Sequence, residues 1–155
     1  MLSDAIARTL VINAEPERVW AVLTEPSFLG RWFGGGEPVR LDLRPGGLLL
    51  FDHGVHGALP ARLIRVEPPH TLSWRWSQGP AGEEPTEHNS TLVEFTLAPA
   101  AGATSLTVLE SGFARLGLPF EEIDARRQAN ARNWPGKLDQ LHQECALTTA
   151  QPPGR

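Results

Sequence analysis

The chain has 155 residues, 41% of them hydrophobic and 21% charged, with a formal net charge of −4 at pH 7. These values are ordinary for one soluble globular domain, and the acidic balance argues against a nucleic-acid-binding protein, which would normally present a basic face. No apolar run approaches the roughly 18 residues of a membrane span, and the first residues do not resemble a signal peptide, so we expect a cytoplasmic protein without membrane insertion.

The N-terminal part of the chain changes from strand to helix. Ile6–Ile12 is rich in β-branched residues and predicts a strand. Asn13 can cap a helix, and Val19–Leu23 fits a short helix that stops before the next proline. A second short helical turn is expected over Pro26–Phe33, and the run Gly34–Gly36 after it is interpreted as a flexible hinge.

The middle of the chain alternates between strands and turns. The predicted strands are Val39–Leu43, Leu48–His53, Leu59–Val66, Thr71–Trp76, Thr91–Leu97 and Ser105–Ser111. Turns containing Pro or Gly separate several of them, and Gln78–Asn89 is expected to form a long exposed hairpin loop. Neighbouring strands joined by short turns imply an antiparallel meander.

The last long segment, Pro119–Leu147, has the periodicity of an amphipathic helix. Leu138, Leu141 and Cys145 follow Trp134 at spacings of four, three and four, which places these residues on one stripe. A lone long helix has no helical partner for this stripe, so it must lie on the sheet. We therefore expect a slot between sheet and helix, and we expect function there.

Three residues of this helix have consequences for the slot. Pro135 cannot donate to the carbonyl of Ala131, which predicts a kink or a helix restart near 133–135. Trp134 would contact a ligand if it faces the slot, and would be only an anchor if it faces the sheet. Cys145 is the sole cysteine, which excludes an intramolecular disulfide, and its position favours a small buried hydrophobic residue over a reactive thiol.

Several short motifs occur in an order that is typical of a known superfamily. They are Ala14–Trp20, Arg31–Phe33, Pro45–Gly47, Glu67–Trp76, Val93–Phe95, Glu110–Phe113, and Trp134 with Leu138–Leu141. On these motifs, residues 6–147 resemble the helix-grip superfamily (SRPBCC) that includes START and Bet v 1-like domains. Within it, the chain is most similar to bacterial single-domain relatives of the Hsp90 ATPase activator's C-terminal domain (AHSA1-like). It departs from them at Asn133, where they often have Gly, and at Glu110, where they often have His.

The resemblance implies an α+β fold of the helix-grip type. We expect a curved six- to seven-stranded antiparallel sheet, with two short helices and one long C-terminal helix across it. Residues 1–149 would form one domain, and residues 150–155 would form a disordered tail.

The candidate ligand-binding residues are side chains expected around the slot. They are Trp32, Phe33, Phe51, Trp74, Trp76, Phe95, Glu110, Phe113, Trp134, Leu138 and Leu141. For the apolar members, packing in the core is the alternative interpretation, and both can hold at a cavity wall.

Glu110 is the one candidate with an ionisable side chain. It is in phase with Leu106 and Val108 and would point inward, where a carboxylate costs free energy unless it is paired. Its candidate partners are His53, Arg62 and Arg75. It would then be a polar anchor or a general acid or base, whereas fraying at the end of the strand would expose it to solvent.

Metal and other cofactor sites are not expected. Asp52, His53 and His56 carry ligating groups, but no convincing further ligand is suitably spaced, so a surface turn is the favoured interpretation.

Three functions are compatible with this sequence. The first is a soluble protein that binds a small apolar or amphipathic molecule between sheet and helix. The second, implied by some relatives, is an enzyme of the cyclase, dehydratase or hydrolase type with Glu110 and His53 as its acid–base pair. The third is a chaperone-linked module with an Hsp90-type partner and a role in the stress response. A homodimer is compatible with all three, and we favour the first.

Overall fold

The computed structural model describes residues 4–33, 39–52, 58–78 and 83–150. In chain order the elements are β1 (Ala5–Ile12), α1 (Pro16–Thr24), α2 (Pro26–Trp32), β2 (Val39–Leu41), β3 (Leu48–Asp52), β4 (Ala58–Glu67), β5 (Thr71–Ser77), β6 (Ser90–Ala100), β7 (Ala103–Ser111), a 3₁₀ turn (Phe113–Arg115) and α3 (Phe120–Ala150). The predicted glycine hinge at 34–36, the loop holding His53 and His56, and residues 151–155 of the predicted tail lie outside the described residues, whereas Ala150, the first residue of that tail, ends α3.

The seven strands form one sheet in the order β1-β7-β6-β5-β4-β3-β2. Each neighbouring pair is antiparallel. β2 to β7 follow one another as the expected meander, and β1 pairs with β7 along its whole length, from Ala5 opposite Ser111 to Ile12 opposite Thr104. The predicted α+β fold, with a curved antiparallel sheet and one long helix, is confirmed.

The motif Pro45–Gly47 joins β2 to β3 and also docks on β4. The N–H of Gly46 donates to the carbonyl of Leu63 at 2.7 Å, and the N–H of Leu63 donates to the carbonyl of Gly47 at 3.0 Å. Gly46 has a φ of +81°, and a Cβ on Gly47 would lie 2.0 Å from the carbonyl oxygen of Asp42. Both positions therefore require glycine if the turn is to pack against β4.

Each short helix starts with a proline, whose missing N–H is not needed in the first helical turn. We expected Asn13 to cap α1, and this was wrong, because the N-cap residue is Glu15 and it makes no side-chain capping bond. The indole N–H of Trp32 donates to the carbonyl of Val22 at 3.0 Å, which holds α2 against α1.

Alternation along the strands turns one face of the sheet toward the helices. In β7, every second residue from Thr104 to Glu110 is buried, and the residues between them are partly exposed. The strand residues buried as hydrophobic core are Ile6, Ile12, Leu49, Ala61, Leu63, Leu72, Trp74, Val93, Phe95, Leu97, Leu106 and Val108. This face is the floor of the space that α3 covers.

α3 is continuous along its whole length, with Pro135 inside it, so the predicted helix restart near 133–135 does not occur. Proline cannot donate to the carbonyl four residues earlier. That carbonyl, of Ala131, instead accepts a long hydrogen bond of 3.5 Å from Nη2 of Arg8 on β1. The unpaired backbone group created by the proline therefore becomes a contact between helix and sheet.

The predicted stripe of α3 is confirmed as its buried side. Trp134, Leu138, Leu141 and Cys145 are between 0% and 5% exposed. Each large side chain buried in this way contributes about 1.5–3 kcal/mol to folding, so the stripe is a main attachment of the helix. Of the helices in the described ranges, none has the length and apolar character needed to span a bilayer.

Shortening Leu141 to alanine tests how strongly the stripe holds the helix. Leu141 is fully buried, whereas Leu43 is 40% exposed and provides a matched leucine control. We expect Leu141→Ala to lower the free energy of unfolding by about 3 kcal/mol and Leu43→Ala to change it by less than about 0.5 kcal/mol, measured by urea denaturation. Equal effects of the two variants would contradict the assignment of the stripe to the core.

Cys145 lies at the C-terminal end of the stripe and is fully buried. Burial raises the pKa of its thiol to about 12, and this outweighs the opposing influence of Arg18. Because the thiolate is the reactive form of cysteine, the structure favours the buried-hydrophobe interpretation.

Thiol labelling provides the corresponding test. We expect an aromatic disulfide reagent to react with the native protein at least about a hundredfold more slowly than with the protein in concentrated urea, since reaction requires local opening of the fold. Release of the coloured thiolate reports both rates. Similar rates in the two states would show that Cys145 is accessible.

Candidate functional site

The centre of the candidate site is the side chain of Glu110, near the end of β7. In the register of the sheet, Glu110 lies between Ile6 of β1 and Val93 of β6, two buried apolar residues. Its exposed fraction is 0%. The inward orientation expected from its phase with Leu106 and Val108 is therefore what the structure shows, and fraying does not expose it.

Four hydrogen bonds converge on the Glu110 carboxylate. Oε2 accepts from Nε1 of Trp76 at 2.9 Å, from Oγ1 of Thr91 at 2.6 Å and from Nδ2 of Asn130 at 3.1 Å. Oε1 accepts from Nε1 of Trp134 at 2.9 Å. A carboxylate offers about four lone-pair directions and no donor; here three donors meet Oε2 and one meets Oε1, so both oxygens of the buried group are hydrogen-bonded.

The partners predicted for Glu110 are not the ones found. Arg62 forms an exposed ion pair with Glu84 at 2.7 Å, and Arg75 donates to Oγ of Ser90 at 3.4 Å. His53 lies outside the described residues. The buried charge is therefore stabilised by neutral donors from β5, β6 and α3. The sequence pattern predicts some of these donors as part of the apolar wall and does not single out the others.

Aromatic rings fill much of the space between sheet and α3 that we expected to be an open slot. Phe33 is the central ring, and its centroid lies 4.9 Å from that of Trp76 and 5.9 Å from that of Trp134. Other contacts extend the cluster with centroid distances of 5.1–6.0 Å, through Trp32, Trp74 and Phe95. Most of the predicted ligand-binding residues in this cluster therefore pack in the core of the protein.

The other predicted residues lie further from Glu110 or in a different place. Leu138 and Leu141 belong to the buried stripe. Phe113 lines a separate hollow of about 390 Å³ together with Leu118, Phe120 and Ile123. The side chain of Phe51 lies outside the described part of the structure.

A small cleft opens beside the aromatic cluster, between β5 and α3. Its volume is about 140 Å³, and its walls are Trp76, Asn130, Asn133, Trp134 and Lys137. A cavity of about 150 Å³ is enough to hold a benzene ring, so the cleft has room for about one ring. The two indoles have centroids 6.3 Å apart and are tilted by 44°, and their N–H groups are already directed at Glu110.

Lys137 provides the cationic group of the cleft. Its Nζ lies 4.2 Å from the centroid of the Phe33 ring and 3.5 Å from the Phe33 carbonyl oxygen. Burial lowers the pKa of the Lys137 amine, and the negative charge of Glu110 opposes this shift. Within the described ranges, Lys137 forms no ion pair with a carboxylate.

Asn130, Asn133 and Lys137 were not among the predicted site residues. Asn133 follows Asn130 by three residues and Lys137 follows Asn133 by four, so they lie along one side of the helix, on the boundary between the buried stripe and the exposed side of α3. The sequence contains this periodicity, but polar residues at such a boundary usually contact only solvent. The periodicity alone therefore does not identify them as site residues.

A second cavity lies next to the cleft along α3. It has a volume of about 240 Å³ and is lined by residues that include Gln78, His88, Leu116 and Arg126. Gln78 of this cavity contacts Asn130 of the cleft, with 3.5 Å between Oε1 and Nδ2. Across the residues that the structure describes, no three His, Cys, Asp or Glu side chains are grouped as ligands of a metal would be.

Comparison with solved structures shows where this fold occurs. Protein MLL2253 from Mesorhizobium loti is 22% identical over 96% of this chain and 99% of its own, with a TM-score of 0.73. The Aha1 protein of Colwellia psychrerythraea, solved as a dimer, is 20% identical over 92% of this chain and 94% of its own, with a TM-score of 0.69. DynU16, a protein of the dynemicin biosynthetic locus, is 25% identical with a TM-score of 0.70; the match covers 97% of this chain and 49% of DynU16.

Comparison with family models gives the family itself. No curated protein matches the chain. The family model described as "Activator of Hsp90 ATPase homolog 1-like protein" matches residues 13–146, which is most of the sequence. The resemblance drawn from the sequence motifs is therefore confirmed, and the chain belongs to the activator of Hsp90 ATPase homolog 1-like family.

Proposed function

We propose that the protein binds a small amphipathic molecule with one flat, ring-like end, in the cleft between β5 and α3. The observation that carries this proposal is the composition of the cleft wall. Two tryptophans, Trp76 and Trp134, line the cleft together with two asparagines and Lys137. Small-molecule sites typically combine apolar or aromatic walls with a few well-placed polar groups.

The rigidity of this wall supports the proposal. Both indoles and Asn130 are fixed by their bonds to Glu110, so a ligand would not have to order them. A site whose side chains are already positioned loses less conformational entropy on binding. Asn133 is exposed and Lys137 is half-buried, and these two groups remain near the opening, where they would contact the polar end of a ligand.

The size of the cleft bears on the class of ligand. Drug-sized ligands usually occupy about 300–1,000 Å³, and the 140 Å³ cleft is smaller than that. Gln78 of the neighbouring 240 Å³ cavity contacts Asn130 of the cleft, and this contact is long for a hydrogen bond. A single-ring ligand would fit the cleft alone, and a longer ligand would need this contact to open. The similarity to a protein of a biosynthetic locus is consistent with a small-molecule ligand.

The geometry of Glu110 favours binding over acid–base catalysis by this residue. Its carboxylate already accepts four hydrogen bonds and is fully buried. A general base must reach the proton that it removes, directly or through one water. Because Glu110 has no exposed surface, the side chains that cover it would have to move before it could reach a ligand. We therefore assign it the role of a polar anchor that orients the walls of the cleft.

An interaction with an Hsp90-type ATPase is the second candidate function, and the family description is the observation that favours it. It predicts that the protein stimulates ATP hydrolysis by such a partner, and that blocking the cleft leaves this stimulation unchanged. The expected homodimer is a separate proposal, which light scattering in solution would test.

Ligand binding can be tested by filling the cleft. Asn133→Phe places a ring at the opening without removing a donor of Glu110, and Gln143→Phe adds the same side chain at an exposed position of α3 outside the cleft. We expect single-ring aromatic acids, phenols and aldehydes to change the tryptophan fluorescence of the wild type. We expect Asn133→Phe to weaken the best of them at least about tenfold, or about 1.4 kcal/mol, while Gln143→Phe leaves its affinity unchanged.

Two outcomes of this titration would contradict the proposal. One is the absence of any fluorescence change or thermal stabilisation across the panel. The other is equal weakening by the two phenylalanine variants, which would show that the ligands bind elsewhere.

The anchoring role of Glu110 leads to a stability prediction. Glu110→Gln replaces one acceptor oxygen with an NH₂ group, which must face either Trp134 or the three donors on the opposite side. Leaving a buried donor unsatisfied costs about 1–3 kcal/mol, and we expect the free energy of unfolding to fall by this amount in urea denaturation. Glu94→Gln, on the other face of the same sheet region, is the matched control and should change stability by less than about 0.5 kcal/mol. Unchanged stability of Glu110→Gln would refute the anchor.

A further inference from the structure

We infer that Lys137 forms a reversible imine with an aromatic aldehyde or ketone held in the cleft between Trp76 and Trp134. This inference rests on the proposed ligand site and names both the class of its ligand and a chemical step. Its starting observation is that Lys137 lines the cleft together with Trp76 and Trp134, while its amine lies over the ring of Phe33, which packs on both indoles.

The surroundings of the amine differ from those of an ordinary surface lysine. Nζ sits over the Phe33 ring at 4.2 Å, and its one hydrogen bond in the described structure is the long contact of 3.5 Å to the Phe33 carbonyl. An ammonium group has three N–H donors to satisfy. Partial burial without a carboxylate at salt-bridge distance therefore leaves the charged form poorly stabilised.

The balance between charged and neutral amine follows from these contacts. The Phe33 ring and the charge of Glu110 favour the ammonium, whereas burial favours the neutral amine, and burial is the larger effect on the pKa. A lysine desolvated in a hydrophobic pocket is one of the recognised forms of an activated amine nucleophile. The neutral amine keeps the lone pair that attack on a carbonyl carbon requires.

The step itself balances without any further reagent. The nitrogen lone pair of Lys137 forms a bond to the carbonyl carbon while the π bond of the carbonyl breaks and its electron pair moves to oxygen. The oxygen then takes up a proton from the nitrogen, giving a carbinolamine. Loss of the hydroxyl group with the second amine proton releases water and leaves a C=N bond. The ring of the ligand would rest against the indoles, since the cleft has the volume of about one ring.

The sequence makes this inference easy to test, because Lys137 is the sole lysine in the chain. The only competing amine is the one at the N-terminus, whose ordinary pKa of about 7.7–8.0 makes it the more reactive amine in most proteins. The protein is incubated with 4-hydroxybenzaldehyde and sodium cyanoborohydride, which reduces an imine to a stable secondary amine, and adducts are located by peptide mass spectrometry.

Arg132→Lys supplies a matched control on the same helix. Arg132 is exposed, so the variant carries an ordinary surface amine at position 132 in addition to Lys137. In this variant we expect adduct formation at least about tenfold faster at Lys137 than at position 132, because a lower pKa leaves a larger neutral fraction. As pH rises, labelling of Lys137 should level off at a lower pH than labelling at position 132. In concentrated urea the preference for Lys137 should disappear, and Lys137→Arg should remove the adduct at position 137.

Equal labelling at positions 132 and 137 in the native protein would overturn the inference. The same holds if the preference for Lys137 persists in urea, since it would then not depend on the fold. Fluorescence titration without the reductant separates this inference from the proposed function. Binding of the aldehyde without trapping at Lys137 refutes the imine alone, whereas the absence of both refutes both.

Discussion

The hydrogen bonding of one buried carboxylate connects the sheet of this protein to its closing helix. Glu110 belongs to β7, yet its donors come from β5, β6 and α3. A buried charge is costly when it is unpaired, so these donors stabilise the core by pairing the charge. The same requirement fixes the rings and amides that form the cleft, which links the stability of the fold to the geometry of the site.

The choice of neutral donors has an electrostatic consequence. An arginine or lysine partner would have cancelled the charge of Glu110 inside the core. Indole, hydroxyl and amide groups instead share the hydrogen bonds to Glu110, and its net negative charge remains beneath the cleft. That charge raises the pKa of the Lys137 amine, against the effect of burial. The site therefore holds a buried, hydrogen-bonded carboxylate and a partly desolvated amine as separate groups, not as an ion pair.

Local patterns in the sequence predict the fold well because burial repeats with the period of each element. Alternation in β7 predicted the inward position of Glu110, and the spacing from Trp134 to Cys145 predicted the buried side of α3. The partners of Glu110 could not be obtained in this way, because Trp76 and Asn130 are 34 and 20 residues away in sequence. Their approach depends on strand register and on helix position, which local periodicity does not contain.

The volume of the slot could not be predicted from the sequence either. Whether large rings line a cavity or fill it depends on side-chain rotamers and on the distance of the helix from the sheet. Phe33, placed by the end of α2, packs on both cleft tryptophans. Phe113 was among the side chains expected around the slot, but it follows Gly112, which has a φ of +95°, and it lines a separate hollow.

The proline inside α3 gives the helix a fixed position along the sheet. A regular helix presents the same backbone surface at every turn. Without a specific contact, only the shapes of the side chains in its apolar stripe would prevent the helix from shifting along the sheet by one turn. Pro135 breaks this equivalence by leaving one carbonyl, that of Ala131, available to Arg8 of β1. Three residues further on, Trp134 reaches Glu110 of β7. Two attachment points on adjacent strands determine both the axial position and the rotation of the helix, and they set which of its side chains face the cleft.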